Sequence, residues 1–232
     1  MRQVYDEIAP SWYQLRHRTR FEAELRPLAR RWGSGRLLNV GCGHGPDFSP
    51  FTPDFELWGL DFSRQMLALA QKYERKLGFQ ANLILAEATF LPFSEESFDC
   101  AIAVATYHNI QERIAREQAF AELWRVLKPE GEAFITVWNR WRPGFWLKPK
   151  EVLIPWHKKG RVLYRYYYLF SYAELKRELN HAGFEVIKSF TRKPYWLLLK
   201  PFAPNICLLV KKRRLEAIPL PRQLRYARAA AP

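Results

Sequence analysis

Three glycines stand at alternate positions in Gly41-Cys42-Gly43-His44-Gly45, directly after the apolar run Leu37-Leu38-Asn39-Val40. Glycine reaches backbone conformations that other residues avoid, so the spacing makes a sharp turn that a ligand can approach closely. The run is GxGxG, not the GxGxxG of a dinucleotide site. It leads into Pro46-Asp47, and an acid there opposes a pyrophosphate. Asp61 ends the next apolar run, Leu57-Trp58-Gly59-Leu60. An acid at a strand tip can hold a ribose diol. GxGxG alone also fits an ordinary tight turn. With Asp61, and with Glu87-Ala88 after a third apolar run, a ligand site is the better reading.

These residues need a sheet to carry them, and the pattern supplies one. Residues 20–32 place Phe21, Leu25 and Leu28 on one helical face. Residues 37–40, 57–60, 82–85, 98–105 and 133–137 read as strands, the fourth apolar enough to be buried on both faces. Ser63 can cap a helix over 64–77. Residues 112–127 form another, with Ile114, Phe120, Leu123 and Val126 inward. Pro129-Glu130-Gly131 turns the chain into strand five. Strands alternating with helices imply a parallel sheet with right-handed crossovers. Residues 139–168 hold three prolines, two glycines and no long period, and read as an insertion with short structure at most. Ser171 and Glu174 form a capping box for a helix over 171–182. Strands at 184–190 and 205–211 follow, then a basic, mostly extended tail over 212–232. The expected architecture is a single α/β domain over 1–211, a seven-stranded Rossmann-like sheet with helices on both faces.

Charge divides the chain. The net charge is +14, yet residues 1–138 carry 16 basic and 18 acidic side chains, and residues 139–232 carry 21 and 5. An excess confined to one part points to a polyanionic partner, nucleic acid or an anionic surface. Residues 139–168 interleave eight Lys/Arg with eight aromatics against one acid, Glu151. That mixture suits single-stranded RNA, with phosphates on the cations and splayed bases on the rings. Cys42, Cys100 and Cys207 have no metal-ligand spacing and are odd in number, so a disulfide scaffold and a zinc ribbon are disfavoured and an intracellular, cytoplasmic protein is expected. The N-terminus has no secretory apolar region. The most apolar stretch, 195–210, is cut by Lys200, Pro201 and Pro204, so no membrane span is expected.

The motifs resemble the class I S-adenosylmethionine-dependent methyltransferases. Residues 37–45 look like that family's first motif and Leu60-Asp61 its second. Glu87-Ala88 through Leu91-Pro92-Phe93 looks like its adenine segment, and Leu127-Lys128-Pro129-Glu130-Gly131 the turn before its fifth strand. The resemblance implies S-adenosyl-L-methionine as cofactor, its amino-acid end at Asn39, Gly41, Gly43 and Gly45. The ribose would lie on Asp61 and the adenine near Phe62, Glu87 and Ala88, with Ala105 closing the set. Asn39 stands where the family usually has an acid, and Glu130 where it has a glycine.

One branch is closer. Val4-Tyr5-Asp6-Glu7-Ile8-Ala9 with Trp12 and Arg16-His17, and Arg165-Tyr166-Tyr167-Tyr168-Leu169-Phe170 after Ile154-Pro155-Trp156, resemble the tRNA wobble-uridine carboxymethyl methyltransferases. That family includes the domain fused to AlkB-type tRNA hydroxylases. Thr106-Tyr107-His108-Asn109 resembles its segment after strand four, and Val137-Trp138 its fifth strand end. The resemblance implies methyl esterification of 5-carboxymethyluridine in the anticodon loop. It also implies a small zinc-binding activator protein paired with the edge strand 82–85.

The residues themselves agree on an oxygen acceptor. The (Asn/Asp)-Pro-Pro-aromatic run used for exocyclic amines is absent, and no cysteine sits in a loop fit for pyrimidine C5 chemistry. A carboxylate is already ionised at neutral pH, so cations that position it suffice. Arg16 and Arg165 would flank it, with His108 and Asn109 at the floor, though His108 reads equally as a buried, hydrogen-bonded histidine. Tyr5, Trp12, His17, Trp138, Arg140, Arg142, Tyr166 and Tyr167 would contact the RNA. Trp138 and Phe170 also read as core, and Arg30 and Arg31 as a solvated face. Two alternatives stand beside this reading: a small-molecule O- or C-methyltransferase of the same fold, and a non-catalytic RNA-binding module.

Overall fold

The computed structural model describes residues 1–52, 54–158, 160–190 and 201–213. The apolar runs become strands β1 (Gly35–Val40), β2 (Phe55–Asp61), β3 (Asn82–Leu85), β4 (Phe98–Val104), β5 (Leu127–Trp138), β8 (Phe184–Phe190) and β9 (Asn205–Lys212). They form one sheet in the order β3-β2-β1-β4-β5-β9-β8. The first five strands pair in parallel, and β9 runs antiparallel between β5 and β8. Chain order reverses between β1 and β4, and ligands of open α/β sheets bind outside the carboxyl ends at that point.

Side chains alternate across this sheet, because successive residues of a strand point to opposite faces. Leu38, Ala101, Ala103, Ile135 and Leu208 lie on one face, under helices α4 (Arg113–Val126) and α5 (Tyr172–His181). Leu37, Cys100, Ile102, Phe134 and Leu209 lie on the other, under α2 (Glu22–Trp32) and α3 (Arg64–Leu77). The helices therefore cover both faces, as the alternation of elements requires. Ser63 caps α3 by accepting from Met66 N–H at 3.1 Å, and Ser171 and Glu174 form the expected capping box on α5. No helix among the described residues is long and apolar enough to cross a membrane.

The structure departs from the sequence reading in five places, the first being β5, which begins at Leu127 and takes the expected Pro129-Glu130-Gly131 turn into the strand as an irregularity. Residues Arg2–Leu15 form a helix, α1, whose Tyr5, Ile8 and Ala9 pack on Met66 of α3. The insertion is a hairpin, β6 (Glu151–Lys158) against β7 (Arg161–Tyr168), registered from Glu151 opposite Tyr168 to Lys158 opposite Arg161. It turns at Gly160, whose φ is 73°. Pro155 is tolerated because a two-stranded ribbon has free edges. Ile114 is 77 % exposed; the inward position one turn before Phe120 belongs to Arg116, which is 3 % exposed with its guanidinium 3.7 Å from the Tyr168 ring centre. The last strand runs to Lys212, one residue into the expected tail. The tail beyond Arg213 lies outside the described residues.

Candidate active site

A cavity of about 1340 Å³ opens at the switch point between β1 and β4. Single-ligand pockets run to roughly 1,000 Å³, so this one has room for two ligands side by side. One end is walled by the glycine loop, Asp61, Phe62 and residues 86–89; the other by α1, the hairpin, Trp138 and Arg142.

At the first end the loop is fixed by its backbone. Gly41 has φ 70°, and a Cβ there would lie 2.5 Å from the Thr106 side chain. A Cβ on Gly43 would meet nothing within 4 Å, so this glycine faces open space. The N–H of Gly43 donates to Asp61 Oδ2 at 2.8 Å, and Ser63 N–H to Oδ1 at 2.8 Å. Each carboxylate oxygen keeps a second lone pair for a ligand hydroxyl. Burial pushes the Asp61 carboxyl up to about 6 against the pull of these two N–H groups. Phe62, Ala88 and Glu87 line the same end, and Glu87 pairs with Arg2 of α1 at 3.2 Å. Ala105 also lines the cavity. Its φ of 58° is rare for a side-chain-bearing residue and is held on both sides. Its N–H donates to Thr136 and its carbonyl accepts from Asn109 Nδ2 at 2.8 Å. Gly45 and Asn39 stand behind the wall. Gly45 caps a 3-10 turn over Pro46–Phe51 with φ 87°. Asn39 is fully buried between Gly59 and Ile102, its amide without a partner among the described residues. A glycine cradle that a Cβ would fill, with open lone pairs on Asp61, fits a ligand bearing a ribose diol and an amino-acid end.

At the other end stand Arg16, Arg142 and Arg165 among Trp12, Trp138, Trp156 and Tyr167. Arg16 lies over the Trp12 ring at 4.0 Å and Arg165 at 5.5 Å from the same ring. Arg142 lies over Trp138 at 3.8 Å. Among the described residues neither Arg16 nor Arg165 has a carboxylate within ion-pair distance. Burial lowers the Arg16 pKa, and the Arg20 and Arg165 charges lower it further. Two neighbouring arginine charges, Arg165 buried and Arg16 half-buried and only partly offset by Asp47, favour an anionic ligand. Tyr5 donates to Asn109 Oδ1 at 2.9 Å, so Asn109 bridges α1 to Ala105 at the cavity floor.

Four candidates stand elsewhere. His108 is fully buried behind Trp138 and Tyr167, and its Nδ1 accepts from Trp138 N–H at 3.4 Å. Burial, aided by Arg142 and Arg165, lowers its pKa to about 3, so it is neutral at physiological pH. His17 is exposed at the edge of the Tyr13 ring. Arg140 lies over Trp141, outside the cavity wall. Tyr166 points into the core and donates to Gln111 O at 3.0 Å. Alternation along β7 explains this: Arg165 and Tyr167 face the cavity, so Tyr166 and Tyr168 cannot. Of the two residues counted as core, Phe170 is fully buried, while Trp138 is half-buried in the wall. Arg30 and Arg31 are both exposed, as expected, and Arg31 grips Glu132 with two nitrogens. The sequence reading misses Trp156, visible only as part of a motif, and His44, hidden between two glycines.

Residues 38–135 match the family model for a methyltransferase domain. A tRNA (carboxymethyluridine(34)-5-O)-methyltransferase of Arabidopsis thaliana is 32% identical over 138 residues, 58% of this chain. The match spans 31% of that relative's own length, so the chain corresponds to about a third of it. A protein of the same name from Schizosaccharomyces pombe is 25% identical over 222 residues, 84% of this chain and 93% of that one. The crystal structure of an S-adenosylmethionine-dependent methyltransferase from Clostridium acetobutylicum aligns with a TM-score of 0.65 at 13% identity, covering 92% of this chain and 93% of that one. A glycine cradle and strand-tip acid at the switch point, on this strand order, give the chain the class I S-adenosylmethionine-dependent methyltransferase fold, with residues 38–135 matching the methyltransferase-domain model.

Proposed function

We propose that this chain transfers a methyl group from S-adenosyl-L-methionine to the carboxylate of a 5-carboxymethyluridine at the wobble position of tRNA. The observation that carries the reading is the cavity itself, in which a cofactor cradle opens directly onto arginines set among aromatic rings. The relatives named for that reaction support it.

The bound cofactor supplies a methyl group activated by its sulfonium. Gly41, Gly43 and Asp61 hold its amino-acid and ribose ends. Phe62 and Ala88 flank the base. The guanidinium forks of Arg16 and Arg165 hold the acceptor carboxylate, each able to make two parallel hydrogen bonds. Trp12, Trp156 and Tyr167 wall the acceptor end, offer ring surface to the splayed base and exclude water. No base is needed, because the acceptor is ionised. The neutral, buried His108 fits this economy: it supports Trp138 and Tyr167 instead of taking a proton.

Two finer parts belong to the same reading. A small zinc-binding activator adds to β3, a four-residue edge strand that among the described residues pairs only with β2 and carries the 41 % exposed Leu85. An open edge of this kind accepts a partner strand. The enzyme works in the cytoplasm, with its tRNA.

Labelled S-adenosylmethionine and tRNA bearing 5-carboxymethyluridine test the function. The product should release labelled methanol in mild alkali, as a methyl ester does. An alkali-stable label would indicate an N- or C-methyl acceptor. Transfer only to small acids, with none to tRNA, would favour the small-molecule alternative. The activator is tested by co-expression, which should raise solubility or activity; full activity in the isolated chain would remove it.

A further inference from the structure

The segment that carries Arg16 hangs on the cofactor loop. Residues 16–20 connect α1 to α2 and run past the loop's far side. His44 Nε2 lies 2.5 Å from the Arg16 carbonyl oxygen. A carbonyl only accepts, so this nitrogen carries the proton and donates. Two further bonds hold the same strap. Tyr73 O–H of α3 donates to the His17 carbonyl at 2.7 Å, and Thr19 O–H donates to Asp47, two residues past the loop. The His44 ring is fully buried between Tyr13 of α1 and Tyr73, with ring centres 5.2 and 5.6 Å away. Its position is therefore set by packing, and its single proton on Nε2 is committed to the strap.

The same loop lines the cofactor end of the cavity with Gly41 and Gly43. His44 thus joins that loop to the residue whose side chain stands over Trp12 at the other end of the cavity. We propose that His44 is a positioning residue for Arg16, coupling the cofactor loop to the acceptor arginine, so that cofactor binding and acceptor binding strengthen one another. The acceptor half of this rests on the proposed function; the fastening of the strap does not. Coupling of this kind is reciprocal, so either ligand should report it.

Two variants separate the hydrogen bond from the packing. His44→Phe keeps a ring between the two tyrosines and removes the donor. His44→Gln keeps an amide N–H near the Nε2 position. The strap contains Arg16, Arg18 and Arg20, of which Arg18 and Arg20 are exposed, so limited trypsin digestion reads its fastening without any acceptor. In His44→Phe, strap cleavage should accelerate roughly fivefold or more, and His44→Gln should restore the wild-type rate. S-adenosylhomocysteine should slow cleavage in the wild type and much less in His44→Phe. In methyl transfer, His44→Phe should raise the acceptor KM at least about fivefold while the S-adenosylhomocysteine Kd moves less than about twofold. Unchanged cleavage in His44→Phe, or an equal loss of cofactor affinity, overturns the proposal. If trypsin gives the expected pattern but the wild type methylates no tRNA, the proposed function fails and the fastening role of His44 stands.

Discussion

At the scale of single residues, the site divides by charge. On the proposed function, Asp61 meets the cofactor as an acceptor, and Arg16 and Arg165 meet the substrate as donors. Hydrogen bonds to a charged group are worth about 1.5–3 kcal/mol each. Asp61→Ala should therefore weaken S-adenosylmethionine at least about tenfold with the fold retained, which calorimetry and circular dichroism together would check. The acid has a pH signature too. Burial raises its pKa to about 6, and only the ionised carboxylate offers every lone pair to the ribose. Cofactor affinity should be flat above about pH 7 and fall as pH drops through 6, because protonation of the free enzyme competes with binding. Asp61→Asn should bind weakly at all pH values and lose that acid limb; an unchanged limb would assign it to another group. The arginines should behave differently. Arg16→Lys and Arg165→Lys should each lower methyl transfer about tenfold or more without moving cofactor affinity, since lysine lacks the planar fork. At saturating cofactor the rate should stay nearly flat from about pH 6 to 8.5, because neither the acceptor carboxylate nor His108, held near 3, titrates there. A rise with an apparent pKa near 6.5 would indicate a general base and reject the carboxylate acceptor.

Elements decide which of these residues meet. Two serine caps make the point. Ser63 and Ser171 each accept from a backbone N–H at a helix start, a bond worth roughly 1 kcal/mol. Ser63 also donates to Asp6 of α1 at 2.6 Å, and Asp6 accepts from Gln65 N–H at 3.0 Å. Ser171→Ala should lower stability by about 1 kcal/mol in urea and leave transfer unchanged, because α5 lies away from the cavity. Ser63→Ala should cost a similar stability and also raise the acceptor KM, because α1 loses an anchor; equal kinetics in the two would detach α1 from acceptor binding. The sequence carried α1 in plain view. Tyr5, Ile8, Ala9 and Trp12 follow the i, i+3, i+4, i+7 spacing, but Pro10 interrupts and the segment reads first as a motif. The sheet was legible because its strands are apolar on both faces and its turns carry glycine. The hairpin was not. Its alternation survives in β6, where exposed and half-buried residues take turns, but Pro155 sits in the middle and β7 ends in Tyr166-Tyr167-Tyr168, apolar enough on both faces to hide the period. The cofactor half was therefore readable from local spacing, and the acceptor half only from a resemblance. Its residues come from α1, β5, the hairpin and the loop after β5, and only the fold brings them together. His108 shows the limit. Its place after strand four fits a site residue, but the chain turns there into a 3-10 turn over Tyr107–Asn109 that buries it and leaves Asn109 to face the cavity.

On the scale of the whole molecule, α1 and the hairpin make a roof over the carboxyl edge of the sheet. Trp12 stacks near Trp156 at 5.3 Å, Trp156 Nε1–H donates to Ser11, and Lys158 reaches the Glu7 carbonyl at 2.9 Å. Around this roof the surface is basic and aromatic. Arg140 lies beside the 42 % exposed Trp141, Trp146 is 52 % exposed, and Tyr164 is 53 % exposed on the outer hairpin. On the proposed function the cavity takes one modified base, and these exposed cations and rings suit the nucleotides on either side. The charge distribution makes the consequence measurable. Residues 139–232 hold 21 basic side chains against 5 acidic, so an RNA partner displaces counter-ions on binding there. The logarithm of affinity then falls linearly with the logarithm of salt, by about 0.7 per phosphate neutralised on a single strand. Contact with roughly three or more phosphates should cost about tenfold or more in tRNA affinity between about 50 and 200 mM salt. On the proposed function S-adenosylmethionine is held mainly by hydrogen-bonding groups of the glycine cradle and should bind nearly as well at both concentrations. The acceptor KM should therefore climb with salt while the cofactor Kd holds. Charge-removing changes at Arg140 and Lys148, outside the cavity, should flatten the slope without touching transfer at saturating tRNA. A salt-independent acceptor KM would show that the basic surface does not meet RNA, and would turn the reading toward a small acceptor that enters the cavity alone.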